Sequence, residues 1–324
     1  MNYTRRLFMN AAGVAMLATT TVARPSFAAT ETLNIVATTG MIADTAKAIG
    51  GDLVEIRALM GPGVDPHAYR QTRTDILAMR RADLILWNGL YLEAQLEDVL
   101  GEFAERMPVW AVAEAVASEN LISHDDYADR HDPHVWMDPF LWRDVVLAVR
   151  DAMVDAAPAH EKEFVANADA YLGELEALAD YAKTVLASVA PERRVLLTAH
   201  DAFNYFGRAY GFDVVGVQGI STESEAGLNR ISELVDMLVD REISAVFVES
   251  SVSDRSVKAL IEGAAARGHE VSVGGQLFSD AMGAPGTYEG TYIGMIDHNA
   301  TTIASAVGGV APERGMTGSL SAGS

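Results

Sequence analysis

The chain has 324 residues, no cysteine, 49% hydrophobic residues and a formal charge of −21 at pH 7. Without thiols it can build neither a disulfide framework, nor a thiolate metal site, nor the cysteine-linked lipid anchor used by many exported bacterial receptors. So acidic a surface repels nucleic acid and anionic lipid and concentrates cations, although solubility alone also explains it.

Thr4-Arg5-Arg6-Leu7-Phe8, the Ala-rich apolar stretch Met9 to Val22 and the small-residue site Ser26-Phe27-Ala28 open the sequence. Together they read as a twin-arginine export signal over residues 1–28; the stretch is too short and too rich in Ala and Thr to stay as a transmembrane helix. Removing the signal takes away Arg5, Arg6 and Arg24 and no acid. The expected product is a soluble periplasmic protein, not lipid-anchored and without stable membrane insertion. Its roughly 295 residues are near the size at which one core divides into two.

Residues 29–157 alternate strand and helix patterns. Strands are expected near Leu33 to Thr39, Val54 to Met60, Leu84 to Asn88 and Val109 to Val112, with helices near Met41 to Ile49, Thr74 to Arg81 and Leu92 to Glu105. Such alternation indicates right-handed βαβ units around a parallel sheet. From Pro158 to about residue 190 apolar side chains recur at helical spacing until Pro191, so residues 158–190 are expected to form one stiff connecting helix. Residues 191–309 repeat the first rhythm. Their strands are Val195 to Ala199, Phe212 to Val217, Ala245 to Glu249 and Glu270 to Val273; their helices are Ala202 to Tyr210, Leu228 to Arg241, Ser253 to Ala266 and Thr291 to Val307. The Gly- and Ser-rich tail, 310–324, is expected to be disordered. The fold class is therefore α/β, with two pseudo-symmetric lobes, each a parallel sheet flanked by helices, joined by one long rigid helix.

Open parallel sheets bind ligands at the carboxyl ends of their strands, and His67, His134, His200 and Asp280 all fall in loops after expected strands. The tripeptide Asp-Pro-His occurs twice, at Asp65-Pro66-His67 and Asp132-Pro133-His134. Proline restricts itself and the residue before it, so each copy presents an imidazole from a stiffened loop. His200 ends a strand, with Asp201 a candidate helix cap, and Asp280 lies in a loop with apolar neighbours. A lone histidine is usually an ordinary surface or core residue, and a lone aspartate a turn cap; the repeated rigid tripeptide is what favours ligands here. Three imidazoles and a carboxylate suit first-row divalent ions such as Zn²⁺ and Mn²⁺. Asp65, Asp132, Asp138, Asp201 and Glu249 are candidates to hold the far imidazole nitrogens.

His131-Asp132-Pro133-His134-Val135-Trp136, Thr198-Ala199-His200-Asp201-Ala202-Phe203, Phe247-Val248-Glu249-Ser250-Ser251 and Leu277-Phe278-Ser279-Asp280-Ala281-Met282-Gly283 resemble the TroA-like metal-receptor family (cluster A-I), over about Leu33 to Val307. The resemblance implies a substrate-binding component of an ABC importer for Zn²⁺ or Mn²⁺, probed by an ABC permease and expected to act as a monomer. It implies His67, His134, His200 and Asp280 as the metal ligands, two from each lobe, with His131 outside the shell. Many manganese-selective members are similar but carry glutamate where His200 stands, which shifts the expectation towards zinc or a dual site. Dedicated zinc members often carry a long His-rich loop, where this chain has only the segment His124 to His131. A zinc metallohydrolase and a metal-binding adhesin are the rival readings; neither a His-Glu-x-x-His nor a Gly-x-Ser-x-Gly motif is present to support the enzyme.

Overall fold

The computed structural model describes residues 32–123 and 130–322; the expected export signal and His124 lie outside the described residues. In the first half, β1 (Leu33–Ala37), β2 (Val54–Ala58), β3 (Leu84–Trp87) and β4 (Val109–Ala111) form one parallel sheet in the order β2-β1-β3-β4. Between them run α1 (Gly40–Gly50), α2 (Arg73–Met79) and α3 (Glu97–Ala104). A capping box starts α2, in which the Thr72 side chain and the Asp75 carboxylate satisfy each other's backbone N–H groups.

The second half holds β5 (Val195–Thr198) paired with β6 (Asp213–Gly216), and β7 (Ala245–Glu249) paired with β8 (Ser272–Leu277), both parallel. β5 also packs beside β7, although the two pairs are separate two-stranded sheets, and the resulting order β6-β5-β7-β8 echoes that of the first sheet.

Two helices connect the halves. α4 (Pro139–Ala156), absent from the expected elements, starts where Asp138 accepts the N–H of Phe140 at 2.9 Å and Pro139 occupies the first turn. α5 (Glu161–Ala187) follows a short 3-10 turn and is about 40 Å long at ~1.5 Å per residue. Its buried residues, among them Phe164, Tyr171, Leu175 and Leu178, pack on α1, α4 and the C-terminal helix α9 (Tyr292–Ala306). The remaining helices are α6 (Asn204–Tyr210), α7 (Leu228–Asp240) and α8 (Arg255–Ala266).

One buried apolar cluster runs from Leu33 in β1 through α4 and α5 to Ala304 in α9, and each half adds a smaller core of its own. Three local expectations need correction. α3 begins five residues late: Gly89, Leu90 and Tyr91 adopt positive φ, and a run of turns over 90–96 precedes the helix. β8 runs from Ser272 through Gly274 and Gly275 to Leu277, with a register shift opposite Val246 and Phe247, where Glu270 to Val273 was expected. The tail is not disordered over residues 310–322: Leu320 is buried, and the Met316 N–H donates to both oxygens of the buried Asp297 at 3.0 and 2.9 Å.

Candidate metal centre

His67, His134, His200 and Asp280 converge, and one ligand atom from each lies within 4.8 Å of all the others. All four are buried. His200 lies two residues beyond β5 and Asp280 three residues beyond β8, whereas His67 sits in the longer loop between β2 and α2. His134 is different: a long connection separates it from β4, and it enters a 3-10 turn that leads to α4.

The two Asp-Pro-His copies form the same local turn. Asp65 Oδ1 accepts the backbone N–H of His67, and Asp132 Oδ1 that of His134, each at 2.9 Å. Their other contacts differ. Asp132 Oδ1 also lies 2.7 Å from His134 Nδ1, while Asp65 Oδ2 accepts from Thr222 Oγ1 at 2.5 Å and makes no such bond to His67 Nδ1. His200 is held as His134 is, its Nδ1 lying 2.5 Å from Glu249 Oε2. A carboxylate facing Nδ1 holds a proton there, so His134 and His200 turn Nε2 inward, and that nitrogen offers its lone pair to a metal whenever it carries no proton.

Inward-facing atoms crowd together. His67 Nε2 and His134 Nε2 are 3.2 Å apart, His200 Nε2 and Asp280 Oδ2 are 3.2 Å apart, and Asp280 Oδ1 is 3.5 Å from His134 Nε2. His200 Nε2 and both Asp280 oxygens are buried without a hydrogen-bond partner. Unsatisfied groups of this kind cost roughly 1–3 kcal/mol each, more when charged, and a cation between them relieves that cost.

The electrostatics follow from burial and neighbours. Burial, helped by the other imidazoles, pushes His67 down to about 3, so it stays neutral. Burial alone would lower His200 too, but Glu249 and Asp280 outweigh it and raise this imidazole well above its ordinary value. Burial would raise Asp280; the facing imidazoles, His200 foremost, instead hold it far below the usual carboxylate range.

Of the other acidic candidates, Asp138 caps α4 and Asp201 does not cap α6, whose N-cap residue is Phe203. His131 lies outside the four-residue cluster and lines the neighbouring pocket with His67. Sequence reasoning missed three supports. Trp136 Nε1 donates to the Ser279 carbonyl at 2.8 Å, tying the His134 turn to the Asp280 loop. Asn299 brackets Phe278 on both backbone groups, which steadies the same loop. Fully buried Glu93, pushed up to about 7 by burial, accepts the N–H groups of Asn88 and Gly89, and Asn88 Nδ2 in turn donates to the Pro133 carbonyl beside His134. The carboxylate next to a left-handed Gly-Leu-Tyr turn was the one available signal for Glu93; the other two contacts span more than a hundred or about twenty residues and leave no local trace.

The profile of the family described as zinc-uptake complex component A, periplasmic, matches residues 35–306. The chain belongs to this family. It is 47% identical over 279 residues to the manganese-binding lipoprotein MntA of Bacillus subtilis (strain 168), covering 86% of this chain and 91% of that one. To the zinc-binding protein TroA of Treponema pallidum (strain Nichols) it is 45% identical over 273 residues, covering 84% and 88%. The solved structure of the periplasmic zinc-binding protein TroA from Treponema pallidum superimposes with a TM-score of 0.83 at 44% identity, covering 85% of this chain and 99% of that one. This family member thus shares with TroA the pair of α/β halves and the long connecting helix.

Proposed function

We propose that the chain is a periplasmic solute-binding protein that captures one divalent transition metal ion, Zn²⁺ or Mn²⁺, between its two lobes and hands it to the permease of an ABC importer. The observation that carries this reading is the convergence of His67, His134, His200 and Asp280 around buried nitrogen and oxygen atoms that lack partners. These four are the ligands, Asp132 and Glu249 orient two of them, and His131 stays outside. The names of the relatives, one manganese-binding and one zinc-binding, support a site that accepts both ions. The Irving–Williams order favours Zn²⁺ at a His₃Asp site, and Mn²⁺ reaches a higher coordination number with both Asp280 oxygens.

The ion is cargo, and the protein acts as a monomeric receptor and not as an enzyme. Four protein ligands leave no coordination position for an activated water, which a catalytic zinc requires. Lobe boundaries at residues 29–157 and 191–309, with 158–190 as connector, fit the sheets and α5. The absence of cysteine supports a receptor free in the periplasm after twin-arginine export, in contrast to the relative named as a lipoprotein. Among the described residues no helix is long and apolar enough to cross a membrane.

Titration of metal-stripped protein tests the proposal. Calorimetry should show one saturable Zn²⁺ per chain and weaker Mn²⁺ binding at the same site, with each ion raising the melting temperature. A titration without saturation, or metal-dependent turnover of ester, phosphate or peptide substrates, would overthrow it.

A further inference from the structure

A pocket of about 200 Å³ adjoins the metal centre, and its lining includes His67, Tyr91, Arg130 and His131 together with Ser221 and Glu223. Among the described residues, His67 is also the one imidazole of the cluster with no carboxylate on its Nδ1, whereas Asp132 and Glu249 fix the rings of His134 and His200. The ligand that borders the pocket is therefore the least restrained of the three histidines. A larger hollow of about 510 Å³ reaches Asp280 from elsewhere, but both carboxylate oxygens of Asp280 are buried, so that hollow does not open onto donor atoms.

Two hydrogen bonds fasten the segment 220–223 across the pocket. Thr222 Oγ1 donates to Asp65 Oδ2 at 2.5 Å, and Gln95 Nε2 donates to Glu223 Oε1 at 2.8 Å. They join the two halves over separations of 157 and 128 residues. Asp65 divides its work: Oδ1 holds the His67 backbone, while Oδ2 holds only the opposite segment. Breaking the Thr222 bond therefore frees the segment without removing the support of His67.

We propose that the ion enters and leaves through the pocket at His67, and that residues 220–223 are its gate, latched by Thr222 to Asp65 and by Glu223 to Gln95. The proposal rests on the metal-capture reading. It assigns Thr222, Glu223 and Gln95 to the rate of exchange and leaves the equilibrium affinity to the four ligands. The opening needs only a loop movement, since each latch is one hydrogen bond of modest net strength.

Stopped-flow mixing of metal-stripped full-length protein with Zn²⁺, and release into excess chelator, reads both rates. The double variant Thr222→Val, Glu223→Ala should speed entry and release alike by about tenfold, with Kd held within about threefold. Thr222→Ser keeps the hydroxyl and should keep wild-type rates. Ser221→Trp, which fills the pocket, should slow both steps, while Ala58→Trp at the rim of the other hollow should slow neither. The gate is overturned by unchanged rates in the double variant, by faster release with unchanged entry, or by slowing at Ala58→Trp but not at Ser221→Trp. Absence of saturable Zn²⁺ binding by the wild-type protein would instead remove the metal-capture reading itself, and the gate with it.

Discussion

His200 Nδ1 and Glu249 Oε2 lie 2.5 Å apart, and the second oxygen of the same carboxylate accepts the His200 backbone N–H at 2.8 Å. One glutamate on β7 thus fixes both the tautomer and the position of a histidine on the neighbouring strand end. Glu249→Gln keeps an acceptor but loses the charge that makes the imidazole a stronger donor to metal. Zn²⁺ affinity should fall by about tenfold to a hundredfold, as is usual for such supporting carboxylates. Competition against a chelator of known affinity measures it, and an unchanged value would show that Glu249 does not tune the ring.

Acid should act mainly through His200. Its raised pKa means that the metal-free protein carries a proton there at neutral pH, which the ion must expel; His67, lowered to about 3, carries none. Binding is therefore favoured as pH rises towards the folded-state pKa of His200, and one proton is released per ion. Above the ordinary histidine value of about 6.5, log affinity should climb by about one per pH unit until His200 loses its proton. Calorimetry in buffers of different ionisation enthalpy counts that proton; a count of zero at pH 7 contradicts the assignment.

The two histidines of His131-Asp132-Pro133-His134 should respond differently to substitution. His134→Ala removes one of the four converging donor side chains, so Zn²⁺ affinity should drop by more than about a hundredfold. His131→Ala should change it by less than about threefold, because His131 is not among the converging atoms. Equal losses in parallel titrations would place the ligand wrongly.

Truncation after Gly309 should destabilise the protein, since it strips Leu320 from its buried position and leaves the Asp297 carboxylate without the Met316 N–H. A loss of roughly 2–4 kcal/mol is expected from one buried leucine and one charged hydrogen bond. Urea unfolding measures the difference, and a midpoint equal to that of the full chain would mean the tail contributes nothing.

Much of the centre was legible because its chemistry is local. Asp-Pro-His states its own turn twice, and both copies hold their histidine as the proline spacing implies. His200 was marked by the strand that ends at it. The supports were hidden: Trp136 meets Ser279 across 143 residues, and only the folded chain brings Thr222 to Asp65. α4 was overlooked although Asp138-Pro139 is a helix start and Leu141, Trp142, Val145, Val146 and Val149 recur at helical spacing. The tail misled because small residues allow disorder but do not enforce it when a buried carboxylate offers an acceptor.

The apolar cluster that runs unbroken from β1 through α5 to α9 also bears on how such a receptor can be rebuilt. A chimaera that exchanged one half for that of a relative would cut through shared packing at Trp142 and Tyr292, whose rings stack at 5.2 Å, and would have to re-fit both faces. The ligand loops enter the same packing, through Val135, Trp136, Phe203 and Met282. In this scaffold a change of metal preference is therefore more readily made at the ligating side chains themselves than by exchanging halves or whole loops.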